Sequence, residues 1–333
     1  VIGTDPFKIE RLWRIVYSSG YTQRPDTSLM GVLSAIEMAC WDIIGKELNK
    51  PVYELLGGQV HERLRSYTYL YPDSADDTRV YTDPDAAAQK AADCVAQGFT
   101  AVKFDPVGPY TAFDPRQLSL EALEHAERFT GALRAAVGGA CDLLFGTHGQ
   151  MTTSSAIRLA KRLEKFDPLW FEEPVPPGNV AEMARVARAT SIPVATGERL
   201  ATKYEFAAVL GRQAAAILQP ALGRVGGILE AKKIAGMAEA HYAQIAPHLY
   251  CGPIEGAANI QIGTCSPNFL IQEGIRTWGG FHAEILKTPI RWEQGYIIPP
   301  SAPGLGVELD EEVAAAHPYT GEALHIEMLD RPV

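Results

Sequence analysis

Apolar positions in residues 28–48 (Met30, Leu33, Ala35, Ile36, Met38, Ala39, Trp41, Ile43 and Ile44) recur at three- and four-residue spacing, which predicts a helix with a wide apolar surface. Glu37 and Asp42 interrupt that surface, and the plain reading of both is a solvated face or helix packing. A helical segment at 6–18 precedes it, and a short helix at 51–56 is stopped by Gly57 and Gly58. From residue 64 the pattern changes to short β-rich runs alternating with helical stretches. Strands are predicted at 64–71, 100–105, 143–145, 169–173, 193–198, 215–219, 244–247 and 269–273. Helices are predicted at 84–97, 118–137, 153–163, 180–189, 204–210, 228–241 and 256–263. Eight strands with helices between nearly all of them, over about 210 residues, suit one (β/α)-type barrel better than two doubly wound sheets.

Polar chemistry gathers where the predicted strands end. The run LWFEEP (169–174) carries apolar residues straight into two glutamates, and the period of two sends Glu172 and Glu173 in opposite directions. One can face a shared interior, and the other must find a separate partner. Glu198 ends the run PVATGER (193–199), and His148 stands at the tip of DLLFGTHGQ (142–150). The remaining strand tips offer Lys103 and Asp105, Gln150, Arg199, Gln219, His248 and Glu273. Each has an ordinary explanation alone: Lys103 as a barrel-core salt bridge with Glu172, or His148 as a capped loop histidine. Together they place carboxylates, imidazoles and a lysine on one rim, where buried charge is costly unless paired or metal-bound. Carboxylates at strand ends suit a hard cation such as Mg²⁺, whereas zinc would want its histidines at closer, fixed spacing. Two histidines on different sides could serve as base and acid. The loop 107–113, with Gly108, Pro109 and Tyr110, is long enough to form part of a lid.

Composition narrows the partners. A net charge of −10 and a sequence pI near 5.3, with no Lys/Arg-rich run, argue against nucleic acid. An acidic substrate would then need a local cation to be captured. The five cysteines (Cys40, Cys94, Cys141, Cys251 and Cys265) sit singly in apolar segments without a CxxC pair, as buried reduced thiols would. No apolar run approaches the roughly 18 residues of a membrane span and no signal-peptide pattern opens the chain, so a cytoplasmic location and no membrane partner are expected.

Six stretches resemble the enolase superfamily, in its mandelate racemase/muconate lactonizing subgroup, and most of all its galactonate- and mannonate-type acid-sugar dehydratases. MGVLSAIEMACWDIIGKELNKPVYELLGG (30–58) resembles the capping-domain helices that lead into the barrel. WFEEP (170–174) and TGER (196–199) are similar to the motifs of two metal-binding glutamates, which implies Glu172 and Glu198. APHLYCGP (246–253) resembles the strand-seven histidine motif, implying His248 as base, and THGQ (147–150) the strand-three segment whose histidine is the acid, implying His148. NFLIQE (268–273) is similar to the eighth-strand ending whose glutamate helps hold the oxyanion, implying Glu273. Lys103 is grouped with these catalytic residues. The resemblance implies an α/β fold: a modified (β/α)8 TIM barrel with a partial N-terminal α+β capping domain completed by the C-terminal segment. The expected division is a capping remainder at 1–62, a barrel at 63–298, and a segment at 299–333 packing back on the cap. It also implies a Mg²⁺-dependent dehydratase of an aldonic or aldaric acid, and a homo-oligomer.

Several departures from that pattern carry expectations. The aspartate ligand usual two residues before the strand-three histidine is Gly146, and Asp105 or His148 would replace it, Asp105 being the like-for-like carboxylate. The strand-six aspartate that orients the strand-seven histidine is Ala221, which removes the partner expected for His248. Strand two reads KFD and lacks the second lysine of the racemases, which points towards chemistry by two histidines. The antiparallel strands of the cap, with their specificity loop, would precede Val1.

Overall fold

The computed structural model describes residues 2–19, 21, 23–74, 77–320 and 328–333. Two compact units make up the chain, both discontinuous: Val1–Arg65, Gly197–Leu210 and Leu218–His317 form one, and Ser66–Thr196, Gly211–Ile217 and Pro318–Val333 the other. The strands in chain order are β1 Leu64–Tyr69, β2 Ala101–Phe104, β3 Asp142–Gly146, β4 Trp170–Glu172 and β5 Val194–Thr196. They continue with β6 Ile217–Leu218, β7 Gln244–Ile245, β8 Gln272–Gly274, β9 Trp292–Glu293 and β10 Tyr296–Ile297. All ten belong to one mixed sheet.

The second unit holds the parallel run from β1 to β5. Thr68 pairs with Val102, Val102 with Leu143, Leu144 with Trp170, and Phe171 with Val194. These strands are buried on both faces, as strands of a parallel sheet are when helices cover one side. Alternation assigns the faces. Phe104, Phe145 and Phe171 meet edge to face at 5.5 and 6.1 Å, and Phe104 also packs on Phe129 of the helix Leu120–Val137. The opposite face therefore carries Tyr67, Lys103, Gly146, Trp170 and Glu172. The helices Pro84–Ala96, Leu120–Val137, Thr153–Leu163 and Val180–Ala189 each start on a side-chain cap: Asp83, Ser119, Thr152 and Asn179. Each such cap is worth about 1 kcal/mol.

In the first unit the helix Thr27–Glu47 opens on Asp26, whose carboxylate accepts the Leu29 N–H at 2.8 Å. Its Met30 and Leu33 pack with Trp13 and Tyr17 of the helix Ile9–Ser19. Glu37 takes the second of its two sequence readings, helix packing and not a solvated face, because it is buried. It accepts from the N–H groups of Ile228 at 2.7 Å and Leu229 at 2.9 Å and from Trp41 Nε1 at 2.8 Å, capping the helix Ile228–Ala240. The turn into that helix needs glycine at 227, where φ is +94° and a Cβ would fall 2.0 Å from Glu37 Oε2. Asp42, similarly, is no bystander; it accepts from Leu305 N at 2.9 Å and pairs with Lys46 at 2.7 Å. The segment after residue 299 hydrogen-bonds back here, with Val52 N giving to Gly304 O and Gly304 N to Lys50 O. β9 and β10 form an antiparallel hairpin, and β10 pairs with Leu64 and Arg65 at the start of β1.

Other expectations need correction. The helix Thr27–Glu47 does pass a length-and-composition test for a membrane span, although Ser34, Glu37 and Gly45 are among its buried residues. Cys251 is exposed, while the other four thiols are buried and all five are free. Within the expected C-terminal segment 299–333, Gly304 bonds back to Lys50 and Val52. Residues 321–327 lie outside the described residues, and Leu329 pairs within the second unit, its N–H bonding Tyr110 O at 2.9 Å and its carbonyl taking Ala112 N at 2.8 Å. The predicted strands at 215–219 and 244–247 shorten to two residues each.

Candidate active site

The strand-four glutamates diverge as the period of two requires. Glu172, fully buried, accepts from Lys103 Nζ at 2.7 Å through Oε1 and from Trp170 Nε1 at 3.2 Å through Oε2. Glu173 turns the other way at a left-handed φ of +36°, and its Oε1 accepts from Thr196 Oγ1 at 3.1 Å. Lys103 therefore takes the salt-bridge position that its sequence context left open. Its route there depends on Gly146. A Cβ at that residue would stand 2.6 Å from Lys103 Cε and 3.0 Å from its Cγ, so the lysine stem lies in the space where a strand-three side chain would begin.

Beyond β3, the segment Thr147–Gln150 is fixed by hydrogen bonds. Thr147 Oγ1 gives to Glu172 O, Gly149 N to Glu173 O at 2.8 Å, and Gln150 Nε2 to Gly108 O at 2.9 Å. His148, between them, places Nδ1 2.6 Å from the Tyr110 hydroxyl, and the two rings meet edge to face at 5.0 Å. Tyr110 in turn donates to Asp105 Oδ2 at 2.6 Å, and Val107 N–H donates to Asp105 Oδ1 at 2.8 Å. Burial lifts the Asp105 carboxyl from 3.8 to about 6, against the pull of the Tyr110 and Val107 hydrogen bonds.

The first unit contributes Glu198, His248 and Glu273, all buried. Glu198 follows β5 by two residues, past Gly197, where a Cβ would meet the Gln219 backbone at 2.8 Å. Its Oε2 lies 3.2 Å from His248 Nε2. With alanine at 221, the carboxylate beside His248 is thus Glu198, from strand five. The backbone of His248 is anchored on both sides, its N–H giving to Pro220 O at 3.2 Å and its carbonyl accepting Asn259 Nδ2 at 3.0 Å. Glu273 Oε2 accepts the Leu249 N–H at 2.7 Å.

His148 and Glu172 belong to the second unit and Glu198 to the first, and each offers a ligand-capable atom. Two buried carboxylates and an imidazole are a donor set that accepts a divalent cation, and the carboxylates favour a hard one. Asp105 stands outside this group, with its carboxylate turned to Tyr110 and Val107. Sequence reasoning missed two contacts that shape the site. Trp170 shares a strand face with Glu172, a relation the period of two could have supplied. Tyr110 meets His148 across 38 residues of sequence, for which no local signal exists.

Comparison with known proteins agrees on one family. Residues 86–313 match the enolase C-terminal domain-like family, and residues 1–57 match the mandelate racemase/muconate lactonizing enzyme N-terminal domain. A D-galactonate dehydratase of Ralstonia nicotianae is 39% identical over 319 residues, 93% of this chain and 79% of that one. A D-gluconate dehydratase of Thermoproteus tenax is 31% identical over the full 333 residues and 65% of its own length. A solved structure from Labrenzia alexandrii is 66% identical, covering 98% of this chain and 84% of that one with a TM-score of 0.95. The mandelate racemase/muconate lactonizing enzyme from a Sulfitobacter species is 56% identical, with coverage of 99% and 83% and the same TM-score.

Proposed function

The chain belongs to the mandelate racemase/muconate lactonizing family of the enolase superfamily, and from that premise we propose that it is a hydro-lyase that dehydrates an aldonic or aldaric acid. The observation that carries this reading is His248 Nε2 standing 3.2 Å from Oε2 of the buried Glu198, a base beside a carboxylate at the strand ends. The dehydratase names of the Ralstonia and Thermoproteus relatives support it. Glu172 and Glu198 are the residues we assign to hold Mg²⁺. When bound, the ion would supply positive charge against the substrate carboxylate, making the proton at C2 more acidic.

The protein groups do the rest. His248, held against Glu198, takes the proton from C2. Charge then moves onto the substrate carboxylate, on the side we assign to Glu273. His148 delivers a proton to the C3 hydroxyl, which leaves as water, and the enol that remains tautomerises to a 2-keto-3-deoxy acid. Lys103, held on Glu172, keeps that buried carboxylate compensated before substrate arrives. A variant reading, favoured by the donor set itself, makes His148 the third ligand in place of the carboxylate that Gly146 cannot supply.

Proton NMR in D₂O with Mg²⁺ and a panel of aldonic and aldaric acids tests the proposal. Loss of the C2 proton with a new deoxy methylene is the expected result. Deuterium entering C2 without elimination would reassign the chain to epimerisation or cycloisomerisation, and silence across the panel without metal binding would remove the dehydratase reading.

A further inference from the structure

We propose that Asp105 and Tyr110 form a one-way hydrogen-bond relay that holds His148 in its Nδ1–H tautomer, leaving Nε2 as the nitrogen that exchanges protons or takes a metal. The inference deepens the proposed function, because it rests on His148 being a working residue of that site.

Counting hydrogens fixes the direction of each bond. An ionised carboxylate only accepts, and a tyrosine hydroxyl has a single hydrogen to give. Tyr110 gives its hydrogen to Asp105 at 2.6 Å, a length usual for an O–H donor on a charged oxygen. The hydroxyl oxygen then meets His148 Nδ1, also at 2.6 Å, as an acceptor only. The hydrogen in that second bond must therefore come from the imidazole, which fixes Nδ1–H. Imidazole in water prefers the other tautomer, so the relay works against an intrinsic bias. The same arrangement serves the imidazolium, since Nδ1–H is unchanged when Nε2 gains a proton. The ring can thus cycle between acid and base at Nε2 without any rearrangement of its partners.

Each part of the relay is pinned. Asp105 is held by the Val107 N–H at 2.8 Å. The Tyr110 carbonyl takes the Leu329 N–H at 2.9 Å, and the Gly108 carbonyl takes Gln150 Nε2 at 2.9 Å. The edge-to-face contact at 5.0 Å limits rotation of the His148 ring. Asp105 and Tyr110 are accordingly positioning residues. Asp105 touches neither the imidazole nor any assigned metal ligand.

The test is long-range ¹H–¹⁵N correlation on the full chain labelled at histidine, at pH 8, with the His148 signals identified by their loss in His148→Gln. The wild type should show Nδ1 as the protonated nitrogen. Asp105→Ala frees the Tyr110 hydrogen to turn to Nδ1, and the signature should flip to Nε2–H although the replaced residue does not touch the ring. Tyr110→Phe should return the ring to the tautomer mixture of imidazole in water. In turnover, Tyr110→Phe should lower kcat about 10- to 100-fold, the range for losing a partner that orients a working histidine, with KM little changed. A wild-type Nε2–H signature overturns the relay, as does a Tyr110→Phe spectrum identical to wild type. Tyr110→Phe carries the test alone where Asp105→Ala does not fold. Elimination of a sugar acid together with an Nε2–H signature would sink the relay and spare the proposed function. The Nδ1–H signature in a chain inert to every acid would do the opposite.

Discussion

Lys103→Met is the perturbation whose outcome the structure fixes best. Glu172 is fully buried, and the side chain of Lys103 is 3% exposed with its Nζ 2.7 Å from the carboxylate. Methionine retains most of the stem lying over Gly146, so the change removes the charge and keeps much of the packing. A buried carboxylate stripped of its cation costs about 3–5 kcal/mol. Unfolding entropy of about 2.1 cal/mol/K per residue, taken over the whole chain, converts this to a Tm lower by about 4–7 °C. The assay is calorimetric or fluorescence melting at pH 7.5 in a chelator, on wild type, Lys103→Met, Glu172→Gln and the double variant. The double variant should recover most of the single-lysine loss, since an amide does not demand a cation, and the coupling between the sites should exceed about 2 kcal/mol. Millimolar Mg²⁺ should raise the Tm of Lys103→Met more than that of wild type, because in the variant the ion no longer competes with an ammonium for Glu172. A Lys103→Met Tm within a degree of wild type would falsify the argument that this pair is a compensated buried charge.

Two further outcomes follow from other parts of the chain. Burial lifts Glu37 from 4.5 to about 7, so between those values the folded state holds a proton that the unfolded state has lost. Stability should therefore fall by about 3 kcal/mol as pH rises from 4.5 through 7, then level off, and Glu37→Gln should flatten that slope in melts at pH 5, 6 and 7.5; equal slopes would show that the three N–H donors keep Glu37 ionised. His148→Asn should abolish elimination yet allow exchange of the C2 proton with D₂O, and unimpaired elimination would remove His148 as the acid. If the same variant also loses the Tm rise given by Mg²⁺, His148 is a ligand instead.

What the sequence disclosed, and what it hid, divides by the range of the contact. Glu172 and Glu173 could be told apart because strand alternation is local. That Glu173 would meet Thr196 could not, since the partner lies on the next strand. Glu37 was left between a solvated face and helix packing, because its interruption of an apolar helix fits either. Its true role, capping a helix that begins 191 residues later, leaves no trace in the residues around it. Periodicity located the helices Thr153–Leu163 and Val180–Ala189 to the residue, because capping residues mark their starts. It overran β6 and β7, because Ala215 and Ala216 before the one and Ala246 and Pro247 after the other extend the apolar runs. Cys251 sits in the same apolar company as the buried thiols, and only the fold exposes it.

Gly146 ties these observations together. Read as a letter, it is a missing carboxylate. In the structure it is also a vacated volume, since any side chain there would begin 2.6 Å from Lys103 Cε. A carboxylate at 146 and a lysine seated on Glu172 are therefore alternatives that one strand pair cannot hold together without displacement. This chain has the second arrangement, which lowers the negative charge at the strand tips by losing one anion and pairing another with a cation. On the proposed function, a divalent ion entering here would meet a weaker field than three uncompensated carboxylates would make, and it would have to share or win Glu172 from Lys103. Were His148 to serve as a ligand, its imidazole would add a donor without restoring the anion. Metal affinity in this chain should for that reason be governed by Lys103 as much as by the ligands themselves. The comparison of Mg²⁺-induced Tm shifts in wild type and Lys103→Met reads that balance directly.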